Sequence, residues 1–225
     1  MTIMTDKRDS VVCIAAHAKT WDMMKKYCFN AAFRHHRDQF DLCVVVNGGD
    51  ALEGQTIQDY LAPEYLVLRE NTGLDQGAFD AGIKRAQGYD TYILMHYDHH
   101  FSDYNWFPYL HDLLHTSEYD VIGNIVTPPT KHLPDDYAIV AEGLGFGHLK
   151  PENFPGFLQG CAGFYKKTAI QCLLDHGGLP RGLDNNRNVA CICERLQSFI
   201  MLHDGLRFGQ IPPGYEKYLR HAEHI

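Results

Sequence analysis

Several features are missing from this 225-residue sequence, and each absence narrows the classes of protein to consider. No stretch approaches the roughly 20 consecutive apolar residues of a membrane-spanning helix, and the polar start MTIMTDKRDS lacks the apolar core of a signal peptide. Basic residues are not in excess either, because 20 Lys and Arg against 28 Asp and Glu give a formal net charge of -8. Nucleic acids and anionic membranes attract basic surfaces, so neither is expected as the main partner. We therefore expect a cytoplasmic protein with no transmembrane segment and no nucleic-acid partner.

The cysteines lack the spacing of a disulfide framework or a structural zinc site. There are seven, an odd number, and some lie inside apolar runs, as Cys13 and Cys43 do. Cys191 and Cys193 form a C-x-C without a second pair, whereas structural zinc sites take four ligands. We expect reduced cysteines that pack in the core.

What the sequence does contain is an alternation of strand-like and helix-like segments. Strand-like segments lie at 11–16, 42–46, 65–69, 91–97 and 120–126, and the first of them, VVCIAA, is a continuous apolar run, typical of a strand that is covered on both faces. Helical patterns separate them, and this alternation predicts an α/β three-layer sandwich with a mostly parallel central sheet. With 45% hydrophobic residues the chain can bury one sizeable core, so we expect a single domain over residues 1–225.

The pattern changes after Val126. Residues 127–156 are dense in proline and glycine, and a loop of this length in a compact domain is usually either functional or disordered. We expect this segment to close over a bound ligand, as lids do. The segments from about residue 11 to 126 and from about 157 to 225 then form the two halves of the domain.

Polar residues follow four of the predicted strands at the points where they end: His17, 47–50, 69–71 and 98–100. In parallel α/β sheets, ligands bind beyond the carboxyl ends of the strands. The four polar strand ends are therefore expected to share one edge of the sheet and to form one site.

The triplet Asp98-His99-His100 directly follows an apolar strand. In an extended segment, Asp98 and His100 point to one side of the chain and His99 points to the other. A carboxylate and an imidazole on one side can share a divalent cation, although a solvated strand end has the same composition.

Four ordered motifs give a more specific indication. They are VVVNGGD (44–50), ENTGLDQGAFDAGIKRAQGYD (70–90), GCAGFYKK (160–167) and CERLQSFIMLHDGLRFGQIPP (193–213). With the triplet, they resemble the GT-A fold glycosyltransferases, especially glycosyltransferase family 2, from Val11 to about His221. His100 stands where the family has a second metal-binding carboxylate, and Asn47 stands at a position that is acidic in the family.

The resemblance implies the GT-A (Rossmann-like) fold and transfer of a hexosyl or deoxyhexosyl group from a nucleoside-diphosphate sugar to an acceptor hydroxyl, with inversion. The acceptor would be a glycan, a lipid-linked molecule or a small molecule. The 11–126 half would bind the nucleotide sugar, and the 157–225 half the acceptor. Glu194 would be the catalytic base. Asp98 and His100 would hold Mn²⁺ or Mg²⁺, with His221, from the segment EKYLRHAEHI, as a further ligand.

The resemblance also implies a set of side chains that contact the donor: His17, Asn47, Asp50, Arg69, Asn71, Gly73 and Asp98. Asp50 and Asn71 would bind the base or the ribose, although both residues are also common in turns.

Two other functions stay open. The triplet also resembles the signature of the DHH phosphoesterases, metal-dependent hydrolases that need carboxylates after their first strand. Here the first strand is followed by AAHAKTWD, with no carboxylate before Asp22. A non-catalytic sugar-nucleotide binder on the same fold is the third possibility, because a fold does not define a function.

Overall fold

The computed structural model describes residues 8–127, 134–183 and 185–212, and the backbone of residues 220–221. Seven strands form one sheet: β1 (Ser10–His17), β2 (Asp41–Asn47), β3 (Tyr65–Arg69), β4 (Thr91–His96), β6 (Val121–Val126), β7 (Phe157–Lys166) and β8 (Phe208–Gln210). Their order is β3-β2-β1-β4-β7-β6-β8. The short strands β5 (His99–His100) and β9 (Arg220–His221) pair separately, in an antiparallel ladder.

The sheet is mostly parallel, as the sequence predicts. β1 runs parallel to β2 and to β4, β2 runs parallel to β3, and β6 runs parallel to β8. β7 alone among these seven strands is antiparallel to its neighbours, β4 and β6. β7 directly follows the proline- and glycine-rich segment 127–156.

Helices cover both faces of the sheet. They are α1 (Trp21–Lys26), α2 (Ala31–His35), α3 (Ala51–Leu61), α4 (Leu74–Arg85), α5 (Trp106–Thr116), α6 (Tyr137–Gly143), α7 (Lys167–Asp175) and α8 (Arg187–His203). Alternate residues of β1 belong to two different core clusters: Val12 and Ile14 pack with residues of α1, α2 and α5, whereas Val11 and Cys13 pack with residues of α4 and α7. The apolar run of β1 is continuous because each of its faces is covered, and the predicted three-layer arrangement is confirmed.

The proline- and glycine-rich segment is not a structureless loop in its described part. Residues 137–143 form α6, and Tyr137 and Ala141 of this helix pack with Phe199 of α8 in a third core cluster. Pro151–Asn153 form a short 3-10 turn. The middle of the segment, 128–133, lies outside the described residues, and its closure over a ligand stays a prediction.

Five of the seven cysteines are buried, which agrees with the expected packing in the core. Within the described ranges, none of the helices combines the length and the apolar character needed to cross a bilayer.

Candidate active site

The ends of four parallel strands meet at one edge of the sheet. His17 at the end of β1 lies beside Asn47 of β2, and Asn47 lies beside Arg69 of β3. On the other side, β4 ends at His96, which pairs with Ala15 of β1. The polar strand ends that the sequence singles out therefore share one edge, as predicted.

Asn47 and Arg69 are connected to each other and to the turn after β3. The Arg69 Nη1 atom donates to Asn47 Oδ1 at 2.5 Å, and Asn47 Nδ2 donates to the carbonyl of Leu74 at 2.8 Å. Arg69 Nη2 donates to Thr72 Oγ1 at 2.8 Å. Because Asn47 is only 1% exposed, its side chain lies beneath the edge and supports the 70–74 turn. Direct contact of Asn47 and Arg69 with a donor stays a prediction.

Two glycines allow this turn to pack closely. Gly73 precedes α4 with φ +70°, and a Cβ atom there would lie 2.8 Å from the carbonyl oxygen of Gly182. A Cβ atom on Gly77 would lie 2.2 Å from the carbonyl oxygen of Thr72 and 2.9 Å from Arg69 Nη1. A side chain at either position would collide with neighbouring carbonyl oxygens, and at residue 77 also with the guanidinium of Arg69.

Asn71 lies in the same turn and has an unmatched polar atom. Its Oδ1 atom is buried and accepts no hydrogen bond within the described structure. A Cβ atom on Gly48, in the loop after β2, would lie 3.7 Å from Asn71 Cβ. A buried acceptor without a donor is costly, so this atom is suited to a ligand that brings an N–H or O–H group.

Asp50, a second predicted donor contact, caps a helix. Its side chain precedes α3 and accepts a hydrogen bond from the backbone N–H of Glu53 at 2.8 Å. This is the usual role of an aspartate at an N-cap, and it accounts for the residue without a ligand.

Asp75, in the first turn of α4, joins two imidazoles at the centre of the edge. His17 Nε2 donates to Asp75 Oδ1 at 2.8 Å, and His96 Nδ1 lies 3.2 Å from Asp75 Oδ2. Burial opposes the charge on this carboxylate, yet the two imidazoles and their hydrogen bonds outweigh it and hold the pKa of Asp75 well below its usual range. Asp75 is therefore an anion at neutral pH.

His96 continues this chain of contacts towards α8. Its Nε2 atom lies 2.6 Å from the carbonyl oxygen of Gly160, and the backbone N–H of Gly160 donates to Glu194 Oε1 at 2.8 Å. Burial lowers the pKa of His96, but Asp75 and the Gly160 carbonyl more than compensate and raise it to about 9. Because both ring nitrogens face acceptors, the ring is an imidazolium that donates from each.

Residues 160 and 161 have an uncommon backbone conformation at this point of β7. Gly160 has φ +63° and Cys161 has φ +57°. A Cβ atom on Gly160 would lie 2.9 Å from His96 Nε2, so glycine permits the close approach of this backbone to the imidazole. Left-handed conformations of non-glycine residues such as Cys161 are uncommon and are often found at functional sites.

Glu194, the predicted catalytic base, lies in α8 and reaches the same edge. Burial raises the pKa of its carboxyl, against the opposing effects of the Arg195 guanidinium, the Gly160 N–H and His96. The Arg195 Nη1 atom is 3.5 Å from Glu194 Oε2. The result is a carboxylate that is more basic than an exposed glutamate and is held at a fixed position.

The triplet after β4 differs from the expected extended segment. Tyr97 and Asp98 form a turn, and His99 and His100 belong to β5, so simple alternation does not describe the orientation of the side chains. His99 is 6% exposed, and its Nδ1 atom accepts a hydrogen bond from the backbone N–H of His96 at 3.1 Å, whereas its orientation relative to Asp98 and His100 stays a prediction. The turn places His99 against the end of β4.

The predicted metal ligands can be compared with their surroundings. The Asp98 side chain is buried, with 5% exposure, and its charge contributes to raising the pKa of His96. The His100 Nδ1 atom lies 3.2 Å from Asn30 Nδ2. His221 pairs with His99 through its backbone, whereas its side chain, and hence its predicted role as a ligand, lies outside what the structure describes. A buried carboxylate close in the chain to an imidazole is an O and N donor set of the kind that manganese accepts.

Sequence reasoning missed Asp75, His96 and Gln76. Gln76 is 5% exposed, and its Oε1 atom is buried without a hydrogen-bond partner in the described part of the chain. Its Nε2 atom lies 4.0 Å from the Sγ atom of Cys161. The sequence held one indication of this site, because His96 lies inside the otherwise apolar run TYILMHY. A titratable side chain that is buried in a strand requires a polar partner.

Comparisons with known proteins identify the fold. No protein-family model and no curated protein matches the sequence. Among solved structures, a mannosyltransferase from Pyrobaculum calidifontis, in complex with GDP-Man and Mn²⁺, matches 94% of this chain and 56% of its own, with a TM-score of 0.57 and 16% identity.

Structures of the S. aureus protein TarS also match. In complex with UDP, TarS matches 92% of this chain and 62% of its own, with a TM-score of 0.51 and 10% identity. In complex with UDP-GlcNAc, the coverage is 97% and 61%, the TM-score is 0.50 and the identity is 11%. The chain spans 56–62% of the length of these three structures. The sheet and these matches together confirm the expected GT-A (Rossmann-like) fold.

Proposed function

We propose that this chain is a metal-dependent glycosyltransferase that transfers a sugar from a nucleoside-diphosphate sugar to an acceptor hydroxyl, with inversion at the anomeric carbon. The observation that carries the proposal is the position of Glu194. This half-buried carboxylate lies at the polar edge of a GT-A sheet and accepts a hydrogen bond from the Gly160 N–H, and its pKa is raised by burial. A base of this kind is the group that sugar transfer needs.

The chemistry explains why a base is required. An acceptor hydroxyl is too weakly acidic to ionise at neutral pH, so a carboxylate must take its proton as the new glycosidic bond forms. A positioned general base contributes roughly 10²–10⁴-fold to the rate. Glu194 would act on the face of the sugar opposite the departing diphosphate, which gives inversion.

The partners of Glu194 would set its position. The His96 imidazolium donates to the carbonyl of Gly160, and Asp75 holds the imidazolium in this orientation. We assign Asp75 and His96 as positioning residues. They act through the Gly160 backbone, whose N–H binds the base.

Two buried amide oxygens support a binding site for the donor. Asn71 Oδ1 and Gln76 Oε1 are acceptors that have no hydrogen-bond partner within the described structure. Ribose hydroxyls and the N–H groups of a base are donors that would satisfy them. The prediction that Asn71 contacts the nucleotide therefore has independent support, whereas Asp50 and Asn47 are accounted for by contacts within the protein.

Asp98 and His100 would hold the divalent cation, with His221 as a further candidate ligand. When bound, such an ion neutralises the negative charge that develops on a nucleoside-diphosphate leaving group. The buried carboxylate of Asp98 and the half-buried imidazole of His100 suit Mn²⁺ or Mg²⁺, and the imidazole favours Mn²⁺.

A ligand screen followed by a transfer assay tests the proposal. The melting temperature is measured with GDP, UDP, GDP-mannose and UDP-GlcNAc, each with and without Mn²⁺, because a ligand that binds the folded state raises it by mass action. The expected result is stabilisation by one nucleotide series only when the metal is present, together with slow metal-dependent hydrolysis of the matching nucleotide sugar.

The other two functions give different results. A DHH-type phosphoesterase would cleave nucleotides or phosphodiesters and would show no preference for the sugar-linked form. A non-catalytic binder would be stabilised by a nucleotide sugar but would leave it intact. Either outcome would contradict the proposed function.

A further inference from the structure

A second cluster of metal-ligating side chains lies away from the strand edge, where the ends of α7 and α8 meet. Cys172 in α7 and His176 at its C-cap are four residues apart and thus on one side of the helix. Asp204, at the C-cap of α8, lies against both. The ligand atoms of these three residues all lie within 4.8 Å of one another.

The separations suit one small cation. Cys172 Sγ lies 3.4 Å from Asp204 Oδ2, and His176 Nε2 lies 2.9 Å from the same oxygen. Tetrahedral zinc, with bonds of about 2.0–2.3 Å, separates its ligand atoms by about 3.3–3.6 Å. The sulfur and oxygen atoms already have this spacing, and the separation between Asp204 Oδ2 and Nε2 of the exposed His176 needs to increase by about half an ångström.

We infer that Cys172, His176 and Asp204 form a binding site for Zn²⁺. A thiolate, an imidazole and a carboxylate are the three side-chain types that zinc binds, and the thiolate distinguishes this set from the oxygen-rich sites of Mg²⁺ or Mn²⁺. Three protein ligands leave the fourth tetrahedral position to water. The site is independent of Asp98 and His100 and does not rest on the proposed function.

In the metal-free cluster the thiol is protonated and the carboxylate is ionised. Burial, together with the hydrogen bond to Asp204, raises the pKa of the Cys172 thiol to about 12, so the thiol is protonated at neutral pH. The hydrogen bond from His176 lowers the pKa of Asp204, so this carboxylate is ionised. A cation that binds between them displaces the thiol proton, as zinc does in other thiolate sites.

An ion at this position would link two helices and stabilise the fold. α7 follows β7 directly, and β7 contains Gly160, which binds Glu194 of α8. A metal that joins the ends of α7 and α8 therefore connects the helix next to β7 with the helix that carries Glu194. Because an ion that binds the folded state alone stabilises it, zinc should raise the melting temperature.

Cobalt substitution tests the site directly. The full chain, reduced and stripped of metal, is titrated with Co²⁺, which takes the place of Zn²⁺ and gives a thiolate-to-cobalt charge-transfer band only when sulfur is a ligand. We expect this band to saturate at one ion per chain, and we expect Zn²⁺ to abolish it. Asp98→Ala should keep the band, because the strand-edge set contains no cysteine among its predicted ligands.

The variants make the assignment specific. Cys172→Ser should abolish the charge-transfer band, whereas Cys191→Ser, a change at another partly exposed cysteine, should keep it. His176→Ala and Asp204→Asn should weaken cobalt binding by more than about tenfold, since even a group that only supports a ligand is worth this much. Circular dichroism of the metal-free variants checks that each is folded.

Two results would overturn the inference. One is a wild-type chain that gives no thiolate band on titration with Co²⁺. The other is a band that persists in Cys172→Ser, which would locate the sulfur ligand elsewhere, or cobalt binding that is unchanged in both His176→Ala and Asp204→Asn, which would show that neither is a ligand.

Discussion

The carboxylate of Asp75 lies 3.2 Å from the Nδ1 atom of His96, and this contact fixes the charge of an imidazole at the end of β4. The other ring nitrogen of His96 faces the carbonyl of Gly160 at 2.6 Å. Carboxylate and carbonyl oxygens can only accept, so the ring is protonated on both nitrogens. A buried ion pair of this kind leaves a measurable trace in the pH dependence of stability.

The pH dependence of stability should change on Asp75→Asn. The pKa of His96 rises from 6.5 in the unfolded chain to about 9 in the folded protein, so its contribution is complete below pH 6.5 and is lost as the pH rises through 9. We expect the free energy of unfolding of the wild type to fall by roughly 2–3 kcal/mol across this window. Asp75→Asn should largely remove that slope, as measured by urea unfolding at a series of pH values.

A change on the other side of Asp75 provides the control. His17 donates to Asp75 Oδ1, whereas His96 contacts Oδ2. His17→Gln can keep a hydrogen bond to Oδ1 and should leave the slope between pH 6.5 and 9 in place. An unaltered slope in Asp75→Asn would show that this carboxylate does not hold the charge on His96.

The sheet could be predicted from the sequence because the amino-acid composition of its strands reflects their burial. β1 and β2 are buried on both faces, so VVCIAA and LCVVV are continuous apolar runs. Parallel strands that alternate with helices have few possible arrangements, and the polar residues at their ends then share an edge. The polar tips of four strands were therefore placed correctly.

The centre of the site could not be predicted in the same way. Asp75 has the sequence context of an ordinary acidic residue in the first turn of a helix, a position that the helix dipole favours in any protein. Its role arises only because α4 packs so that the carboxylate meets His17 and His96, two residues on different strands. The turn at residues 97–98, which interrupts the expected extended segment, likewise cannot be seen in the period-two pattern.

Glu194→Gln should separate donor binding from transfer. The amide keeps the shape of the side chain but cannot accept the acceptor's proton, so the transfer rate should fall by roughly 10²–10⁴-fold. Donor affinity, measured by calorimetry with the metal present, should stay within about twofold of the wild type. Glu142→Gln, at an exposed position of α6, is the matched control and should leave both quantities unchanged. Transfer at the normal rate by Glu194→Gln would reject the assignment.

The pH profile of kcat/KM should report the environment of Glu194. The base acts in its ionised form, so activity rises with pH, and burial moves this ascending limb above the range of an exposed glutamate. The Arg195 guanidinium, 3.5 Å away, lowers the pKa of Glu194 and opposes burial. Arg195→Met should therefore move the limb to still higher pH, whereas a limb that stays in place or moves down would contradict this electrostatic role.

Asp98→Ala should remove the dependence of donor binding on the metal. Loss of one carboxylate ligand leaves the diphosphate charge uncompensated, because a cation held by few protein ligands does not tolerate the change. In the thermal-shift screen, the nucleotide that stabilises the wild type with Mn²⁺ should give no metal-dependent increase with this variant. Asp59→Ala, on α3, provides the control. A normal metal response in Asp98→Ala would move the cation site away from the end of β4.

Gly160→Ala tests whether the close approach of β7 to His96 positions the base. The backbone at Gly160 has φ +63°, and an added Cβ atom would lie 2.9 Å from His96 Nε2, so the side chain brings both backbone strain and a steric contact. Gly145→Ala separates the two effects, because Gly145 has φ +85° with no atom within 4 Å of the added Cβ. Both variants should lose about 1–2 kcal/mol of stability from the left-handed backbone.

Gly160→Ala should lose more stability than Gly145→Ala, and its kcat should fall while donor affinity is kept. The reason is that the Gly160 N–H that binds Glu194 must move with the displaced strand. Equal losses of stability in the two variants, with normal kcat in both, would show that the contact between Gly160 and His96 does not position the base.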